Sequence, residues 1–195
     1  DIHNPYSTRR NVAIPPSAML PIFRSEAQAR LLAWLLLDTD REQPISKLAP
    51  VAGVAQPNTL RELNRLVTSG LLIERRAGNT RLVRANTASP YFAPLVAILA
   101  RAYGPASVVP DMFADVAGVD QVVLIGSWAE RLLGTPGPPP RDVDVVVIGD
   151  PGRRALRAVN RELEERLDQP VQVTAVSADE WESASTAFAN TTCRV

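Results

Sequence analysis

The sequence predicts a two-domain α+β protein, a helical module with a β-hairpin followed by a mixed-sheet α/β module. Three observations predict it. Apolar residues recur at helical spacing through the first half, whereas strand and helix patterns alternate through the second. Gly104-Pro105 breaks the chain between them. Charge divides at the same place: residues 1–104 hold 13 basic and 7 acidic residues, a net +6, and residues 105–195 hold 8 basic and 14 acidic, a net −6. At 195 residues and 46% hydrophobic, the chain can build real cores.

Residues 1–18 carry Pro5, Pro15 and Pro16 without a clear period and read as an N-terminal arm. The first domain is then 19–104. Ile22, Phe23, Ala27, Leu31, Trp34 and Leu35 mark a helix from about Pro21 to Leu37, with Ser25 capping its body and Gln28 three residues on. Ser46 is expected to cap a short helix, Lys47 to Val51, closed by Gly53. Pro57 and Asn58 open a second helix over about 57–69, with apolar Leu60, Leu63, Leu66 and Val67. LLIER (71–75) and TRLVRA (80–85) are strand candidates around a Gly78-Asn79 turn. This order is that of a winged helix-turn-helix. A helix over about 91–103 ends the domain, with Pro94 in its first turn.

The second domain is 105–195. It opens with a helix near 106–116. VVLIG (122–126) is a buried strand, SWAERLL (127–133) a helix, and GTPGPPPR (134–141) a stiff loop. DVDVVVIG (142–149) is a strand with carboxylates at its start. Leu156, Val159, Leu163 and Leu167 mark an amphipathic helix over 153–167. VQVTAV (171–176) is a third strand, and ADEWESA begins a last helix.

Composition excludes several chemistries. One cysteine, Cys193, and one histidine, His3, leave no disulfide framework, no cysteine zinc site and no imidazole base for Ser/His/Asp or Cys/His catalysis. No apolar run approaches the ~20 residues that span a bilayer, and no signal-peptide pattern opens the sequence given. No membrane partner is expected, and cysteine usage points to the cytoplasm.

Two constellations carry chemistry. The second helix of a helix-turn-helix reads DNA with its N-terminal residues. Here Gln56, Asn58 and Thr59 are the base-reading candidates, and Arg61 and Arg65 read bases or hold phosphates. The hairpin adds Arg75, Arg76, Arg81 and Arg84, so residues 56–86 hold six Arg against two Glu. A plain protein contact is the alternative for this face, and Asn58 is also a natural helix cap. In the second half, strand alternation turns Asp142 and Asp144 the same way. Two carboxylates this close repel unless a cation sits between them, and Mg²⁺ prefers such oxygen ligands with water and phosphate completing its shell. Gly126 lets a phosphate approach the backbone, and Ser127 adds a hydroxyl at a helix start. Arg131 and Arg141 are further phosphate candidates. Trp128 either packs beneath the site or stacks on a base.

Gly126-Ser127-Trp128-Ala129 and Asp142-Val143-Asp144, a dozen or so residues apart on successive strands, resemble the nucleotidyltransferase superfamily in its minimal form. With GLLIERRAGNTRLVRAN (70–86) and GSWAERLLGTPGPPPRDVDVVVIG (126–149), the chain resembles bacterial regulators of the actinobacterial kind that join an ArsR-like winged helix to such a domain, over roughly residues 20–185. The resemblance implies a nucleoside triphosphate held by Gly126, Ser127 and Arg131, with Mg²⁺ on Asp142 and Asp144. In an active enzyme Asp142, Asp144 and Ser127 would be catalytic. Active members place a third carboxylate on a later strand. The strand at 171–176 offers Gln172 and Thr174 instead, with Asp168 before it and Asp179 after it. The leading expectation is a homodimeric, DNA-binding transcriptional regulator whose second domain binds Mg-nucleotide. The alternative is a nucleotidyltransferase that moves a nucleotide to a protein, RNA or small-molecule hydroxyl, with a protein partner in a toxin–antitoxin pair.

Overall fold

A computed structural model of the chain describes residues 22–188 and 192–195. The expected N-terminal arm, residues 1–18, lies outside them. The elements run α1 (Glu26–Leu36), β1 (Gln43–Pro44), a 3-10 turn (Ile45–Lys47), α2 (Ala49–Ala52), α3 (Gln56–Thr68), β2 (Leu72–Ala77), β3 (Thr80–Ala85) and α4 (Phe92–Tyr103). The second half continues with α5 (Pro105–Phe113), β4 (Val119–Ile125), α6 (Gly126–Leu132), β5 (Val143–Gly149), α7 (Arg153–Leu167), β6 (Val171–Val176), α8 (Ala178–Phe188) and β7 (Thr192–Arg194). The molecule is a mixed α+β structure.

In the first half, α1 starts as its sequence predicts. The Ser25 hydroxyl accepts from the Gln28 backbone N–H at 3.2 Å, and the Gln28 amide oxygen accepts from the Arg24 N–H at 2.9 Å. One orphan donor of the helix start is thereby satisfied, together with the N–H just ahead of the cap. Ser46 is not a cap, because it lies within the 3-10 turn and α2 begins after it without a side-chain bond. Strands β2 and β3 form an antiparallel hairpin, and β1 adds to the far edge of β3. Helices α2 and α3 with this hairpin make the winged helix-turn-helix arrangement.

The second half holds one four-stranded sheet in the order β6-β5-β4-β7. Strands β4 and β5 are antiparallel, β5 and β6 parallel, so the sheet is mixed. Strand β7 pairs antiparallel with β4 and was not expected from sequence. Val143, Val145 and Val147 face one side of the sheet, packed with α5, α6 and α7. Val146 and Ile148 face the other, with Val123 and Trp181.

The main core runs without interruption from Leu35 and Leu63 in the first half to Leu124, Val145 and Leu163 in the second. Between them, Phe92–Phe113 is long and apolar enough by length and composition to cross a membrane, with mean hydropathy 1.5. This corrects the reading that no run comes near that length. Gly104 splits the stretch into α4 and α5, and a Cβ there would sit 2.3 Å from the Ala100 carbonyl oxygen, a contact no larger residue can make. Val96, Leu99, Val109 and Phe113 from the two helices are buried in the protein core.

Candidate functional site

The exposed edge of α3 carries Gln56, Asn58, Arg61, Asn64 and Arg65. No side chain caps this helix. Ala55 occupies the cap position and Pro57 the first turn, so Asn58 is not the cap. Thr59 must be removed from the base-reading set. It is fully buried, and its hydroxyl donates to the Val54 and Ala55 carbonyls at 3.4 Å each. It lies on the same helix stripe as Leu63 and Leu66, where a short hydroxyl can satisfy itself on the preceding turn.

Beside this edge stands the hairpin, and its arginines differ from one another. Arg81 donates to Glu74 and to the Asn64 side chain of α3 at 3.0 Å. Arg75 is held by Glu42 from the turn before β1, which draws the Glu42 carboxyl below its usual range and raises the guanidinium. Arg76 lies opposite Arg81 across the hairpin, and Arg61, Arg76 and Arg84 have no ion pair among the described residues. On the inner side, Glu62 is buried and is bonded by Arg24, by the Gln28 amide at 3.0 Å and by Arg65 at 3.5 Å. This clasp between α3 and the start of α1 was missed from sequence. Its signal was a carboxylate on the apolar stripe of α3, a place where charge survives only when paired.

In the second half, β5 is paired so that Asp144 lies opposite Ile125, the last residue of β4. The chain then turns at Gly126, with φ +66, and a Cβ there would come 3.0 Å from the Asp144 Oδ2. The glycine is needed both for that backbone and for that approach. Ser127 follows, half-buried, in the first turn of α6. Burial raises the Asp144 carboxyl above its ordinary value, and the charge of Asp142 adds to the rise. Asp142 is exposed just ahead of β5.

Other predicted residues lie elsewhere. Arg131 donates to the Pro138 carbonyl at 3.0 Å and the Thr135 carbonyl at 2.8 Å, so it braces the proline-rich loop and is not held out for a phosphate. A loop of prolines has spare carbonyls and few N–H groups, and a guanidinium suits it. Arg141 pairs with Asp40 of the first half. Asp168 is bonded to Arg41 at 2.7 Å. The register of β6 sets Gln172 beside Asp144, so no acid stands at that position. Among the described residues no group of three or more His, Cys, Asp or Glu is arranged to hold a metal ion. Trp128 is 1% exposed, which favours packing over base stacking.

No protein-family model matches the chain, and no curated protein matches it. Solved structures to which it is similar over about half its length include the following. Reduced HlyU from Vibrio cholerae is 21% identical over 44% of this chain and 84% of that one, with a TM-score of 0.35. The transcriptional regulator BldR from Sulfolobus solfataricus is 16% identical over 51% and 68%, at 0.37. A MarR family transcriptional regulator from Silicibacter pomeroyi is 20% identical over 51% and 71%, at 0.38.

Proposed function

We propose that this protein is a DNA-binding transcriptional regulator whose second half binds a nucleotide. The observation that carries the first part is the joining of two surfaces. The exposed edge of α3, with Gln56, Asn58, Arg61, Asn64 and Arg65, is tied by the Asn64–Arg81 bond to a hairpin that presents Arg76. Amides and guanidiniums on a helix edge suit base reading, and the hairpin arginines suit phosphates. One such helix covers a half-site, so the active form is a homodimer.

The second part rests on Gly126 held against Asp144. The missing Cβ lets Asp144 approach the backbone at the start of α6, and Ser127 beside it can donate its hydroxyl to a phosphate oxygen. Two carboxylates fit a divalent cation that takes its remaining ligands from water and phosphate. A bound Mg²⁺ would neutralise the triphosphate charge there. Asp142 and Asp144 are the residues that would hold it, with the cation also relieving their mutual repulsion. Gln172 stands where a third acid would help deprotonate an attacking hydroxyl, which favours binding over transfer.

The test is anisotropy of a labelled mixed-sequence duplex across a salt series. Arg61→Ala with Arg65→Ala is expected to lower affinity and to flatten the slope of log K against log salt by about 1 to 2, because Arg61 is unpaired among the described residues and Arg65 is shared with Glu62. An unchanged slope rejects this DNA surface. In calorimetry with ATP, CTP, GTP and UTP plus Mg²⁺, Asp142→Asn with Asp144→Asn is expected to abolish nucleotide heat while leaving the DNA titration intact.

A further inference from the structure

A cavity of about 300 Å³ opens between the two halves, under the C-terminal part of α1 and beside the start of α5. None of the functions above uses it. Its volume sits at the lower end of small-ligand sites. Trp34, Tyr103 and Trp128 supply three aromatic side chains to its lining.

Four buried side-chain polar atoms among the described residues lack a hydrogen-bond partner, and three belong to residues lining this cavity: the Tyr103 hydroxyl, the Trp128 indole N–H and the Gln169 Oε1. Folded proteins seldom leave such atoms unserved, and their gathering at one place marks a site that something polar completes. Burial raises the Tyr103 phenol, so it stays protonated and able to donate. The charges there are uneven too. Arg30 is paired with Glu26 at 3.1 Å, and Arg41 with Asp38 and Asp168. Arg166 makes only a contact to the Met112 sulfur at 3.5 Å and has no ion pair among the described residues.

We infer that this cavity is a binding site for a small planar aromatic acid. The aromatic walls take the ring, Arg166 takes the carboxylate, the indole N–H and the phenol donate to ligand oxygens, and Gln169 Oε1 accepts from a ligand hydroxyl. The assignment does not depend on DNA or nucleotide binding. The cavity is nevertheless joined to both proposed sites, because Trp128 follows Ser127 directly and Trp34 belongs to the helix that Glu62 clasps through its first turn.

The test is calorimetric titration of the full chain with 4-hydroxybenzoate, its methyl ester and cyclohexanecarboxylate. The acid is expected to bind saturably at one site per chain, with the ester and the non-aromatic acid both weaker. Tyr103→Phe keeps its ring and should weaken the acid about 3- to 10-fold, the worth of one hydrogen bond, and Trp128→Phe, which keeps an aromatic side chain but loses the N–H and part of the wall, should weaken it at least as much. Arg166→Gln should remove the preference for acid over ester. It lies at the surface, so it carries the test if a core variant fails to fold. Absence of saturable heat with all three probes from folded protein would mean that water serves these atoms and would overturn the proposal. So would an affinity for the acid that none of the three variants changes.

Discussion

In the first half of the molecule, carboxylates and guanidiniums meet across elements. Glu62 joins Arg24, Glu42 joins Arg75, and Glu74 joins Arg81. At the start of β5 the reverse holds. Asp142 and Asp144 lie together, neither has an ion pair among the described residues, and the nearest arginine in sequence, Arg141, turns away to Asp40. The difference teaches where to look for ligands. Satisfied charge holds a fold in shape, whereas like charge kept together without a counterion is a cost that binding can relieve.

The largest effects test whether the two halves differ in charge alone or also in stability. Leu63 and Leu163 are both fully buried, one in each half, and belong to one continuous core. Leu63→Ala and Leu163→Ala should each cost about 2–5 kcal/mol. Because the core is shared, each should shift one common unfolding transition in denaturant. Two transitions, each sensitive to one variant only, would separate the halves into independent units.

A smaller effect sharpens the distinction between paired and unpaired arginines. Arg76→Ala should reduce the salt slope of DNA binding by about 1, the value for one phosphate contact. Arg75→Ala should reduce it less, because Arg75 must first leave Glu42. Equal slopes for the two variants would erase that distinction.

The smallest effect concerns the carboxylate pair. The Asp144 carboxyl is raised in the folded chain, so the folded state binds its proton more readily than the unfolded one. The stability this group contributes is therefore present below the ordinary carboxylate pKa and lost as pH rises through the raised one. Asp144→Asn should melt slightly higher than the parent at neutral pH, and the gap should close on acidification from about pH 7 to about pH 3. A gap that widens toward acid would show the carboxylate to be stabilised in its charged form instead.

Much of the local structure was legible. The period of Leu156, Val159, Leu163 and Leu167 placed α7 at its observed bounds, and Ser25 with Gln28 marked the start of α1. Strand alternation was expected to turn Asp142 and Asp144 the same way, but β5 begins only at Val143, so Asp142 lies ahead of the alternating register. What escaped was set by partners distant in sequence. Nothing near Glu62 announces that Arg24 will reach it, 38 residues away. Arg131 could be assigned to a phosphate only until the shape of the proline loop was known. Strand β7, three residues long, is too short to show a period and exists because β4 offers it an edge. Thr59 was misassigned because a polar residue at a helix start reads as exposed, although it shares the stripe of Leu63.

Arg41 has a consequence for how the molecule can move. Its side chain is only 8% exposed, lies 3.8 Å over the Trp34 ring, and bonds the Trp34 carbonyl, Asp38 and the left-handed Asp168 that ends α7. A small sliding of one half against the other cannot lengthen all these contacts gradually, because each is short-ranged and they share one rigid guanidinium plane. Arg41 therefore ties the end of α1 to the end of α7 through one guanidinium.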